Sequence, residues 1–124
     1  MPLVRIDTIE GGPDGRAVGE IVYRTMVDTI NVPEADNFHI VTTHAPGDLV
    51  YDPNYLGVQR SDGIVVVQVT LNGGRTVEMK QAFYALLAQR LHEQLGVRPQ
   101  DVLVSLVEVA KENWSFGDGI AQYA

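Results

Sequence analysis

Pro2 and Arg75 are the residues whose types and settings point most directly to chemistry. Behind an initiator methionine, Pro2 marks a routine site of methionine removal, and that processing is expected to leave a secondary amine at the chain start. A free α-amino group titrates near ~7.7–8.0 in reference peptides; burial lowers that value and nearby anions raise it. Such an amine acts as a base when neutral, as an acid when protonated, and as a nucleophile forming an iminium with a carbonyl. Arg75 stands in LNGGRT, at the turn from a strand into a helix, beside Gly73-Gly74 and the first N–H groups of that helix. A guanidinium at a helix N-terminus suits a carboxylate. An arginine at a helix start is also commonly solvated, and the spacing alone leaves both readings open.

Other chemistries lack their residues. There is no cysteine, so thiolate nucleophiles, disulfides and Cys-ligated zinc are excluded. Ser61, Ser105 and Ser115 lie in no G-x-S-x-G, and the glycines form no phosphate-binding loop. His39, His44 and His92 keep no H-x-x-x-H spacing, so no metal site is expected and each reads as structural or solvent-facing. Only His39, three residues beyond Asp36, is near enough in sequence to border a site.

The frame that must position these residues is written twice. Sliding residues 1–41 forward by 65 positions matches the two halves in character without a gap. Val18, Ile21, Val22, Met26 and Ile30 fall on Phe83, Leu86, Leu87, Leu91 and Leu95; Asp36 falls on Asp101, and FHIV on LVSL. Each half predicts strand, helix, strand. The first has a strand at 3–9, a helix opened by Gly12-Pro13 and stopped by Asn31 and Pro33, and a strand at 38–43. The second has a strand at 64–71, a helix at 76–95 ended by Gly96 in a left-handed conformation, and a strand at 102–109. Parallel βαβ units cross over right-handed. Two of them, at about 2–43 and 64–109, predict an α/β (α+β) fold: one domain over 1–124, with a four-stranded sheet and both helices on one face.

The connecting stretch THAPGDLVYDPNYLGVQRSDG predicts a loop with a short edge strand at 49–51. IVVVQVTL reads as apolar on both faces, as in a strand covered on both sides. Two helices cover only one, and a large exposed apolar patch is rare on a monomer. Self-association through the sheets is therefore expected, its order left open.

Formal net charge is −7 and no stretch clusters Lys and Arg, which argues against nucleic acid as a partner. The longest apolar run, 82–88, is far below the ~20 residues of a membrane span. The N-terminus has no basic segment followed by an apolar one, so no signal peptide is expected and the chain is expected to be soluble and cytoplasmic.

The opening MPLVRID, the duplicated plan and the lack of other catalytic motifs together resemble the tautomerase superfamily. VPEADNFHIVT, YLGVQRSDG, TLNGGRTVEMKQ and VEVAKENWSFGDGIAQY narrow the resemblance to its malonate semialdehyde decarboxylase-like group, with ENWSFGDG the most specific piece. The resemblance spans essentially the whole chain. It implies a mixed four-stranded sheet, a homotrimer, and active sites near the subunit contacts. It also implies that Pro2 is the catalytic amine, that Arg75 holds the substrate carboxylate, and that Asp36 lies beside the proline and favours its protonated form. Trp114 and Phe116, with Tyr123, are expected to form an apolar substrate-binding wall, or to pack the C-terminal segment onto a neighbour, or both. Some relatives carry a second arginine where this chain has Gly73, so a single carboxylate anchor is expected. Related cis-3-chloroacrylate dehalogenases use a first-helix histidine; the nearest position here is Asp28, which disfavours dehalogenation. Asp101 is expected to be structural.

The expectation is thus a cofactor-independent enzyme on a small oxo acid, performing keto–enol tautomerisation or decarboxylation. The alternative is a non-catalytic trimeric binding module of the same fold. A third reading, an unrelated βαβ domain, would be marked by a monomeric state and a sheet polar on both faces.

Overall fold

The computed structural model describes residues 2–124; the expected removal of Met1 falls outside the described residues. Strand β1 (Leu3–Ile9) buries Val4 and Ile6 and exposes Arg5, the alternation of a half-covered strand. Helix α1 (Gly15–Thr29) begins two residues beyond the expected Gly12-Pro13 opening, because Asp14 is its N-cap and accepts from the Arg16 N–H at 3.1 Å. Asn31, at φ 58°, turns the chain out of the helix toward β2 (Phe38–His44). Strand β3 (Val65–Asn72) leads into α2 (Val77–Leu95), capped by the Thr76 hydroxyl, which accepts from the Met79 N–H at 3.2 Å. Gly96, at φ 68°, closes α2 as expected, and β4 (Val102–Val109) completes the second unit.

The sheet order is β2-β1-β3-β4, parallel within each unit and antiparallel between β1 and β3. The halves are not related without a gap. Leu3 pairs with Phe38 whereas Val65 pairs with Val102, so the second unit carries two more residues between its paired strands. Helices and outer strands keep the 65-residue offset; β3 is shifted against it.

Both helices pack on one face. Val4, Ile6, Val67, Val69 and Leu71 meet Val18, Val22, Met26, Phe83, Leu87 and Leu91 there, all essentially without exposed surface. Helix α1 lies close on β2 because two of its residues have no side chain. A β-carbon on Gly15 would stand 2.5 Å from Val41 Cγ1, and one on Gly19 would stand 2.9 Å from His39 Nδ1.

Two expectations are corrected. IVVVQVTL is not apolar on both faces: Val65, Val67, Val69 and Leu71 face the core, while Gln68 is exposed and Val66 and Thr70 are half-buried on the other side. The exposed apolar surface of that face comes instead from the outer strands, at Phe38, Ile40, Leu103 and Val107. Residues 49–51 form no strand. The Tyr51 hydroxyl instead donates to Asp62 at 2.7 Å, and the Arg60 guanidinium gathers the carbonyls of Asp52, Tyr55 and Val58 into a compact loop.

Candidate active site

Pro2 is buried at the start of β1, on the floor of a hollow of about 240 Å³ lined also by Leu3, Phe38, Trp114, Ser115 and Phe116. A second hollow of about 310 Å³ adjoins it, lined by Pro33, Ala35, Asp36, Phe38, Phe116 and Tyr123. Phe38 and Phe116 belong to both, their rings 6.4 Å apart. Pro2 and Asp36 thus line neighbouring hollows at one end of the sheet, with this aromatic pair between them.

The wall is a stack of rings. Trp114 lies parallel on Phe116 at 5.3 Å and 14°, and Tyr123 meets Phe116 edge-on at 5.2 Å. Gln122 holds the C-terminal segment in this shape: it accepts from the Phe116 N–H at 2.9 Å and donates to the Gly117 carbonyl at 3.0 Å. Phe38, Phe116 and Tyr123 each keep more than a third of their surface exposed, so within one chain the wall is open on one side.

Arg75 is half-buried, and its guanidinium is already engaged. Nε donates to the Ile30 carbonyl at the end of α1, and Nη1 donates to the Asn72 carbonyl at the end of β3, both at 2.9 Å. Among the described residues, Nη2 alone makes no hydrogen bond. The turn before α2 is occupied too. Glu108 reaches it, its carboxylate paired with Lys80 and 2.9 Å from where a β-carbon on Gly73 would stand. The Lys80 hydrogen bond, and then its charge, hold the Glu108 carboxyl below the ordinary value. The open anion cradle that LNGGRT suggests is therefore mostly satisfied from within, leaving one edge of one guanidinium.

Three site residues escape the sequence. Asn72 is buried and joins the two parts: its carbonyl receives Arg75, and its Oδ1 accepts from Trp114 Nε1 at 2.8 Å. Phe38 divides the hollows, and Glu108 lies against Gly73. An aromatic at the mouth of the FHIV strand was the available signal for Phe38. Nothing local marks the other two, whose partners lie on different elements.

Arg75 itself lines neither hollow, and the remaining candidates also stand elsewhere. His39 points to the helix side, its ring 6.4 Å from Tyr23, with a buried Nε2 that finds no hydrogen bond among the described residues, and it lines neither hollow. Desolvation lowers its pKa. His44 pairs with Asp7 at 2.7 Å, and His92 Nδ1 faces the Val97 carbonyl at 3.1 Å. Asp28 pairs with Arg90 across the two helices at 2.7 Å. Asp101 is buried and accepts from both the N–H and the hydroxyl of Ser61, a structural setting. Among the described residues no three His, Asp or Glu side chains cluster as a metal set would, and no helix is long and apolar enough to cross a membrane.

Comparison with known proteins places this geometry. The sequence family described as tautomerase enzyme matches residues 36–117. A probable tautomerase of Bacillus subtilis (strain 168), YusQ, is 38% identical over 124 residues, covering 98% of each chain. Malonate semialdehyde decarboxylase, solved in wild-type form, with alanine for its first-position proline, and inactivated, superposes with a TM-score of 0.86 at 35% identity, covering 98% of this chain and 95% of that one. A fused 4-OT symmetric trimer superposes at 0.74 with 26% identity, covering 95% of this chain and 94% of its own. With its mixed four-stranded sheet, two helices on one face and near full-length identity to these relatives, the chain belongs to the tautomerase family.

Proposed function

We propose that the protein is a cofactor-independent enzyme acting on a small oxo acid, with the amino group of processed Pro2 as its acid, base or iminium-forming amine. The burial of Pro2 under Phe38, Trp114 and Phe116 carries this reading. An amine at the base of an apolar hollow meets a carbonyl with little competing water, where charge interactions are strong. Arg75 Nη2 anchors the substrate carboxylate. Asp36, across the Phe38–Phe116 divide, favours the protonated amine once substrate parts the rings. The site operates in a cytoplasmic homotrimer.

With one anchor, the chemistry closest to hand is decarboxylation of a 3-oxo acid beside slow keto–enol tautomerisation. In malonate semialdehyde the bond to the carboxylate breaks and its electron pair moves toward the carbonyl, made electrophilic by the cationic amine or by iminium formation. Carbon dioxide leaves; the resulting enol takes a proton at carbon to give acetaldehyde, whereas an enamine takes that proton to become an iminium, which water hydrolyses to acetaldehyde and the free Pro2 amine. Too firm a grip on the departing carboxylate would stabilise the ground state as much as the transition state. A lone Nη2 contact suits that requirement.

One observation favours a second reading. Nε and Nη1 of Arg75 are both taken, as befits a structural arginine in a non-catalytic trimeric binding module. Kinetics separate the two. Intact mass first establishes that Met1 is gone, and malonate semialdehyde conversion is then followed by proton NMR. Pro2→Ala is expected to fold normally and lose ~10²-fold or more in rate. Arg75→Ala is expected mainly to raise KM. No acetaldehyde above the Pro2→Ala control, with phenylenolpyruvate tautomerised, removes the decarboxylase reading. Neither reaction in the processed enzyme leaves the binding module.

A further inference from the structure

We propose that Glu108, held in place by Lys80, sets this site to accept one carboxylate and to turn away dicarboxylates. The inference rests on the reading that Arg75 anchors the substrate, and concerns what stands next to that anchor. Glu108 lies at the end of β4, against the turn between β3 and α2. A β-carbon on Gly73 would stand 2.9 Å from Glu108 Oε2, so the carboxylate fills the room that a side chain at position 73 would use. After Lys80, the Gly74 amide and then the Arg75 charge help to hold its carboxyl below the ordinary value. Lys80, one turn into α2, is the other cation beside this turn, and its ammonium is bound to Glu108.

Beside this turn stand the cations Arg75 and Lys80 and the anions Glu108 and, in the first turn of α2, Glu78. The first carboxylate of a ligand meets Arg75 Nη2. A second one finds Lys80 already engaged by Glu108 and meets that carboxylate beside the turn. Discrimination arises as much from such a repulsive element as from attractive contacts. Lys80 and Glu108 are 25% and 37% exposed, so solvent screens them and the expected selectivity is about fivefold, smaller at high salt.

Binding tests this whether or not the chain is catalytic. Processed full-length protein is titrated with pyruvate and with malonate, and the Gly74 amide is followed by 1H–15N NMR. The wild type is expected to bind pyruvate more tightly despite its smaller charge. Glu108→Gln should tighten malonate about fivefold more than pyruvate. Lys80→Met, which leaves Glu108 uncompensated beside Arg75, should weaken both. In the double variant the repelling carboxylate is gone and so is Lys80, so the malonate-to-pyruvate ratio should fall between those of the wild type and Glu108→Gln, whereas an ion pair that only braces the turn would leave the ratio the same in all three. If Arg75→Ala abolishes both affinities while Glu108→Gln leaves their ratio unchanged, this inference is overturned and the anchor stands. If Arg75→Ala changes neither affinity, or wild type binds neither ligand, the anchor and the inference fall together.

Discussion

His39 turns its ring away from the hollow that its neighbour Phe38 lines, because successive strand side chains point to opposite faces. Closeness to Asp36 in sequence put it beside the site; the period of the strand places it under α1. There it meets Gly19 and Tyr23 with a buried Nε2 that nothing among the described residues satisfies. Burial lowers its pKa from 6.5, so the folded protein resists the proton that the unfolded chain accepts. The unfolded state therefore binds more protons as pH drops below 6.5, and stability is lost in that direction. Urea midpoints measured at pH 7.5 and 5.5 should fall in acid, and His39→Gln, which cannot ionise, should fall less. Equal losses would assign the acid limb to other groups. Glu108 acts lower down: its pKa is depressed from 4.5, so its stabilising pair with Lys80 survives to more acid pH and disappears as pH falls through the folded value.

At the level of elements, the core was legible because burying a helix on a sheet demands regular spacing. Val18, Val22 and Met26, and Phe83, Leu87 and Leu91, keep that spacing and are all buried. The two-residue shift of β3 was not legible, since turn length leaves no mark on apolar periodicity. The site was readable only in part for the same kind of reason. Pro2, Arg75 and the C-terminal rings announce themselves by type and motif. Asn72 and Glu108 matter through contacts that span elements. Asp101 shows the repeat at work with a changed outcome: its equivalent Asp36 lines a hollow, whereas Asp101 is 2% exposed and binds Ser61 through N–H and Oγ at 2.7 and 2.6 Å. That contact ties the 45–62 loop to the entry of β4. Asp101→Ala strands a half-buried N–H and removes two hydrogen bonds to a charged group, so a loss of about 2–4 kcal/mol is expected in denaturant titration. Hydrogen exchange at Ile64, whose N–H donates to Ser61, should quicken alongside it. A change under 0.5 kcal/mol, the scale of ordinary surface substitutions, would mean that the loop is held by Arg60 and Arg98 instead.

For the whole molecule, the face without helices decides the assembly. Its centre is polar, with Arg5 and Gln68 exposed and the Asp7–His44 pair half-buried. Its flanks are apolar: Phe38 and Ile40 on β2 are 54% and 40% exposed, and Leu103 and Val107 on β4 are 38% and 36% exposed. The 45–62 loop adds Val50 and Tyr55 beside the β4 flank, around a groove of about 370 Å³ reached by Val66 and Leu103. The two apolar flanks differ from each other, so an interface that joins one to the other is heterologous. It closes into a ring when the rotation permits, rather than into a two-fold dimer. Three copies are the smallest such ring with each sheet touching two others, which agrees with the trimer superposed above. The open side of the ring wall is Phe38 and Phe116, at the β2 flank, so assembly would also enclose the Pro2 hollow. Light scattering at micromolar concentration should therefore give three times 13.6 kDa. Leu103→Glu, placing a charge on the β4 flank without touching Pro2 or Arg75, should shift the mass toward monomer and reduce activity together with it. A wild-type monomer at that concentration would remove the ring, and a monomeric Leu103→Glu with full activity would show that the hollow works without a neighbour.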